Sequence, residues 1–154
     1  MFDVIYKQAL EFHRRYPTTI AWRIKKHAKV VAKYVDSDEK ILYTFVGQKN
    51  DCWYDVISTY IAVITDRRLI LASKRVLFGS FFSSITPDLF NDVELNAGLI
   101  WGRVYIDTIG ELVTFTNISK RAFPEIEEFV TNNIMREKKN FPPRENMKCS
   151  HKAR

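Results

Sequence analysis

Apolar residues recur at Phe2, Ile5, Ala9, Phe12 and Tyr16, in alternating steps of three and four. That spacing lays one stripe along a helix and predicts a short amphipathic helix over residues 2–16. Tyr16-Pro17-Thr18-Thr19 stops it, because proline disfavours helix at the residue before it. Thr18 or Thr19 is then placed to cap a second helix reaching about Val35, with Ile20, Ile24, Ala28, Val31 and Val35 facing inward. Asp36-Ser37-Asp38-Glu39 closes that helix with a polar turn.

Beyond this point the period changes to that of strands. Strands are predicted near Ile41–Gln48, Ile57–Thr65, Arg68–Lys74, Leu77–Ser84, Asp92–Asn96, Ile100–Thr108 and Leu112–Asn117. Val104 and Ile106 alternate with Arg103, Tyr105 and Asp107, the mark of a half-buried strand. Asp66-Arg67-Arg68 joins two strand-length runs as a hairpin. Ile85-Thr86-Pro87-Asp88 marks a corner with a helical turn, and Thr108-Ile109-Gly110-Glu111 a further turn. A final helix is predicted over about Arg121–Lys138. Pro124 sits in its first turn, glutamates lie at its start and basic residues at its end, as the helix dipole favours.

The run from Tyr60 through Ala62-Val63-Ile64-Thr65-Asp66-Arg67-Arg68-Leu69 to Gly79 resembles a hairpin of bacterial pleckstrin-homology (PH) domains, particularly the YokE-like type. Asp38-Glu39-Lys40-Ile41-Leu42, Val76-Leu77-Phe78-Gly79, Gly98 to Gly102, Thr108 to Glu111 and Thr116 to Ser119 follow in the same order. The resemblance covers roughly residues 38–138. It implies an α+β fold: a barrel of about seven antiparallel strands in two near-orthogonal sheets, capped by a C-terminal helix, with two helices added at the N-terminus. The expected organisation is a helical extension over 1–37, a PH-like domain over 38–139 and a disordered basic tail over 140–154.

Charge refines this layout. The net charge is +6, but residues 1–40 carry +4, residues 41–135 carry −3 and residues 136–154 carry +5. The basic character lies on the flanks. Two cysteines, Cys52 and Cys149, give no disulfide framework, and a reducing cytoplasm is expected. The N-terminus, with Asp3, Lys7 and Glu11 among its apolar residues, lacks a signal-peptide core, and no apolar run approaches a membrane span.

Candidate chemistry is sparse. None of His13, His27 and His151 lies in the predicted barrel, so a Ser-His-Asp or Cys-His arrangement has no base at hand. Cys149 and His151 are two ligands in a tail, too few for a metal. Five glycines leave no phosphate-cradling loop. No cofactor and no enzymatic activity are expected. The loop after the first strand, from Gly47 to Asp55, offers Lys49 against Asp51 and Asp55. That makes a poor inositol-phosphate site. Lys49, Trp53 and Tyr54 are the candidate contacts of this loop, or Trp53 and Tyr54 simply seat it on the barrel.

The second helix carries the clearest surface signal. Trp22, Lys25, Lys26, Lys29 and Lys33 fall on one side of it, and residues 12–34 hold seven Lys/Arg and no acid. Such a face suits an anionic membrane or a partner, or it is a solvated helix face whose lysine stems shield Trp22. The leading expectation is a non-catalytic interaction or scaffold module that recruits a protein partner through strand edges and loops. Peripheral binding to anionic membrane through the basic helix, at the inner face of the membrane, is the alternative. Nucleic acid ranks below both, for want of a reading motif, and self-association is compatible with the sequence.

Overall fold

The computed structural model describes residues 1–49 and 58–140. Helices α1 (Phe2–Arg15) and α2 (Ile24–Val31) precede seven strands. These are β1 (Ile41–Gln48), β2 (Thr59–Thr65), β3 (Leu69–Lys74), β4 (Ser80–Ile85), β5 (Phe90–Ala97), β6 (Trp101–Thr108) and β7 (Leu112–Ser119). A helical run closes the described chain: a 3₁₀ turn over Lys120–Ala122, α3 (Phe123–Phe129), a π-helical segment (Val130–Met135) and α4 (Arg136–Asn140). The strands lie in the order β4-β3-β2-β1-β7-β6-β5, every neighbouring pair antiparallel. The β1–β7 junction is narrow, resting on Gln48 opposite Thr116, so the seven strands form a curled half-barrel of two parts.

Burial follows the pattern. In β6 the inward Val104 and Ile106 are fully buried and alternate with Arg103, Tyr105 and Asp107. β2 and β3 bury nearly every residue because they are covered on both faces. Ile5, Ala9 and Phe12 of α1 pack on β1, where the Phe12 ring lies 6.2 Å from both Tyr43 and Phe45. Tyr43 in turn stacks on Phe129 at 4.3 Å. At Gly102 an added Cβ would meet the Phe123 ring at 2.3 Å, so glycine is what lets the closing helix lie against β6.

The β2–β3 turn is held by side chains. Thr65 Oγ1 accepts the Arg67 and Arg68 N–H groups and donates to Glu39 Oε1 at 2.6 Å. Arg68 grips the buried Glu39 at two points, Nε to Oε1 at 2.9 Å and Nη2 to Oε2 at 2.8 Å. Burial alone would raise the Glu39 carboxyl. Hydrogen bonds from Arg68, Thr65 and the Asp36 N–H outweigh it and hold the group below the usual carboxylate range. This fork fastens the end of the N-terminal extension to the hairpin.

Two sequence expectations are corrected here. The second helix starts at Ile24 and ends at Val31, not over residues 20–35. Its predicted first turn is drawn out instead, because tertiary partners claim the backbone. Ile20 N–H donates to Asn117 O, Trp22 N–H to Thr59 Oγ1 and Trp101 Nε1 to Thr18 O. Thr19 caps nothing on α2; its Oγ1 accepts the Ser119 N–H at 3.0 Å. Arg23, at φ 53°, then turns the chain into the helix. The second correction is that Leu77 and Phe78 do not begin β4. They form the tip of the β3–β4 hairpin, and the strand starts at Ser80, after Gly79 at φ 80°.

Candidate functional site: the basic face of α2

α2 buries Ile24, His27, Ala28 and Val31, a spacing of three, four and seven that turns one face to β2 and β3. His27 fixes its position. Its Nδ1 accepts the Lys74 N–H at 2.7 Å, which anchors the helix to the last residue of β3. The imidazole is fully buried, and burial together with the Arg23 charge pulls its pKa from 6.5 down to about 4, against a small opposing effect of the Trp22 backbone. His27 is therefore neutral at physiological pH and acts as a structural acceptor.

This docking places the exposed side of α2 next to the end of β3. Lys26, Lys29 and Lys33 share one cavity, of about 350 Å³, with Arg23 and Lys74. Val30, Tyr34, Val76 and Ser80 complete its lining, and no carboxylate contributes. Tyr34 is held by stacking on Phe82 at 4.1 Å. Arg23 Nη2 reaches the Arg75 carbonyl at 3.5 Å, while its Nη1 is buried without a hydrogen-bond partner among the described residues. None of the five cations makes an ion pair with a described carboxylate. Like charges gathered this closely repel one another, and an anion in the cavity would relieve them.

The hairpin tip adjoins this cavity. Leu77 is 83 % exposed and Phe78 86 % exposed, and Val76 lines both the basic cavity and a second one of about 260 Å³. Tyr60, Ser73, Arg75 and Phe81 form the wall of the second cavity. Lys49 Nζ lies over the Tyr60 and Phe81 rings at 5.4 and 5.3 Å.

Of the residues the sequence singled out, Lys26, Lys29 and Lys33 come together. Lys25 does not join them; its Nζ sits 5.9 Å from the Tyr6 ring and ties α2 to α1. Trp22 precedes the helix, on the drawn-out segment, and is half-exposed. Lys49 lies beside the second cavity. Trp53, Tyr54, Cys52, Cys149 and His151 fall outside the described residues, as does the expected tail after Asn140. Sequence reasoning missed Arg23, Lys74, Tyr34 and the tip Val76-Leu77-Phe78. The signal for the tip was present: three apolar residues between Arg75 and Gly79, too few for a strand and bounded by turn chemistry. Among the described residues no three His, Cys, Asp or Glu gather as a metal set, and no helix is long and apolar enough to cross a membrane.

Comparison with known proteins places this architecture. No curated protein matches the chain. The solved structures similar to it include two from Shewanella. One is a pleckstrin homology domain from Shewanella amazonensis SB2B, with 13 % identity over 70 % of this chain and 84 % of that one and a TM-score of 0.46. The other is a protein with a pleckstrin-homology domain from Shewanella loihica PV-4, with 17 % identity over 70 % of this chain and 89 % of that one and a TM-score of 0.48. The family model described as "Bacterial PH domain" matches residues 35–132, starting just after α2, so that Arg23 to Tyr34 lie ahead of the match and Lys74, Val76 and Ser80 within it. With its seven antiparallel strands and α3 inside that match, the chain belongs to the bacterial PH domain family.

Proposed function

We propose that this protein is a non-catalytic module that docks peripherally on anionic membrane through the exposed face of α2 and the β3–β4 hairpin. The observation that carries this reading is the juxtaposition of five cations around one cavity with an adjoining exposed apolar tip. The two parts are complementary. Lysines near an anionic bilayer contribute about 1 kcal/mol each. Leu77 and Phe78, which bury little on the protein, gain on the order of 2 kcal/mol each when they enter the interfacial region.

Vesicle co-sedimentation tests it. Binding should require anionic lipid and weaken steeply with salt, because exposed charges are screened within about 8 Å at physiological ionic strength. Leu77→Ser with Phe78→Ser should lower affinity at every salt concentration. If the wild-type protein ignores anionic vesicles at low salt, the reading fails. A second reading, recruitment of a protein partner, is supported by the position of β5 at the end of the strand order, with an edge on which a peptide strand could add. It predicts partner capture that survives loss of the α2 lysines.

A further inference from the structure

We infer that the cavity beneath α2 is a specific pocket for a phosphomonoester headgroup, and not only part of a diffuse positive surface. The inference rests on the membrane-docking reading and deepens it. Its cations come from three places in the chain: Arg23 before α2, Lys26 and Lys29 on α2 with Lys33 in the turn just after it, and Lys74 at the end of β3. A merely solvated helix face would not recruit Arg23 and a strand residue to the same cavity. The hydrogen bond from the Lys74 N–H to the His27 imidazole makes that meeting a property of the fold.

Arg23 supplies the selectivity. A guanidinium offers a planar fork of donors that suits phosphate oxygens, and here its Nη2 makes only a long 3.5 Å contact with the Arg75 carbonyl. Tyr34 and Ser80 bring hydroxyl-bearing side chains to the lining. A phosphomonoester near pH 7 carries between one and two negative charges and exposes three acceptor oxygens. A phosphodiester flanked by a zwitterionic or serine headgroup offers fewer oxygens and less charge. A cavity of about 350 Å³ is at the small end for ligand sites, adequate for one phosphate and its glyceryl ester. Val76, shared between the cavity and the apolar tip, argues for a lipid source over a soluble one, since it leads from the phosphate position directly to Leu77 and Phe78.

The test compares full-length protein on phosphatidylcholine vesicles doped with phosphatidic acid or phosphatidylserine, matched in zeta potential. Phosphatidic acid should bind about tenfold tighter, the scale of one charge-assisted hydrogen bond. Arg23→Gln should abolish that preference while costing phosphatidylserine binding only the roughly fivefold of one lost charge. If Arg23→Gln fails to fold by thermal melt, Lys26→Gln on the exposed helix face should also shrink the preference. Equal binding of the two lipids by the wild-type protein would overturn the pocket and leave membrane docking standing. No binding to either would remove the docking reading and the lipid source with it, and the pocket too if glycerol 3-phosphate leaves the protein unchanged. If glycerol 3-phosphate then still shifts amide resonances of residues 23–34, the lipid source is wrong and the cavity serves a soluble ester.

Discussion

Two groups of cations on this molecule are used in opposite ways. At the β2–β3 turn, Arg67 meets Asp38 at 2.6 Å and Arg68 meets Glu39 at 2.8 Å and Asp36 at 3.5 Å. Arg68 also donates to the Tyr34 carbonyl at 3.0 Å. Around α2 and the end of β3, Arg23, Lys26, Lys29, Lys33 and Lys74 surround a cavity and pair with no described carboxylate. The first group spends its charge inside the fold. The second leaves its charge facing outward beside an apolar tip. α1 repeats the first pattern: Arg15 pairs with Glu125 at 2.7 Å, the Tyr16 hydroxyl donates to the same carboxylate, and Gln8 Oε1 accepts from Thr44. Other exposed cations, Lys7, Arg14 and Lys120 among them, also pair with no described carboxylate; what sets the second group apart is that its five cations line one cavity beside an apolar tip.

The comparison breaks first at Arg68. Arg68→Gln leaves Glu39 buried without its partner, and stability should fall by about 3–5 kcal/mol, the cost of breaking a buried pair. A denaturant midpoint close to wild type would mean that the fork is ornamental. Changing Lys26, Lys29 and Lys33 to Gln should, by contrast, move stability by no more than about 0.5 kcal/mol, in either direction, since nothing in the fold relies on their charge.

Acid provides a second, somewhat smaller lever. The folded-state pKa of His27 lies below its ordinary value, so the unfolded chain takes up the proton first. Stability is complete above pH 6.5 and is lost as pH falls from 6.5 towards about 4. The loss is on the order of 3 kcal/mol when complete. Glu39, also depressed, adds its own loss only at lower pH, as the carboxyl is protonated below the usual carboxylate range. Urea titrations at pH 7.5, 6 and 5 should show this decline, and His27→Gln should flatten it. An unchanged midpoint across that range in the wild type would contradict a buried neutral imidazole.

Much of the fold was legible in the chain, for a definite reason. Period-two alternation in β6 and the short polar step at Asp66-Arg67-Arg68 each settle geometry locally. Thr108-Ile109-Gly110-Glu111 does the same, with Thr108 Oγ1 donating to the Glu111 carbonyl at 2.6 Å. Residues 20–23 were not legible, because nothing local distinguishes them from a helix start. What draws them out is the Asn117 carbonyl and the Thr59 hydroxyl, residues far along the chain. The candidate site divides along the same line. Lys26, Lys29 and Lys33 are related by helical spacing and could be read together. Lys74 belongs to another element and joins them only through His27. Leu77 and Phe78 have strand-forming side chains, so propensity extended β4 over a tip that the turn at Gly79 sets apart.

The central claim is that the outward cations of α2 form a docking face because of where they sit, not because the protein is basic overall. Its most direct test sets two triple variants of equal charge against each other on anionic vesicles at low salt. One carries Lys26→Gln, Lys29→Gln and Lys33→Gln; the other carries Lys7→Gln, Arg14→Gln and Lys120→Gln, exposed cations away from the cavity. Loss of the α2 lysines should weaken binding by about a hundredfold, three contacts at roughly 1 kcal/mol each, while the control loses less than about threefold. Equal losses in the two variants would show that net charge alone drives the attraction and would contradict the account.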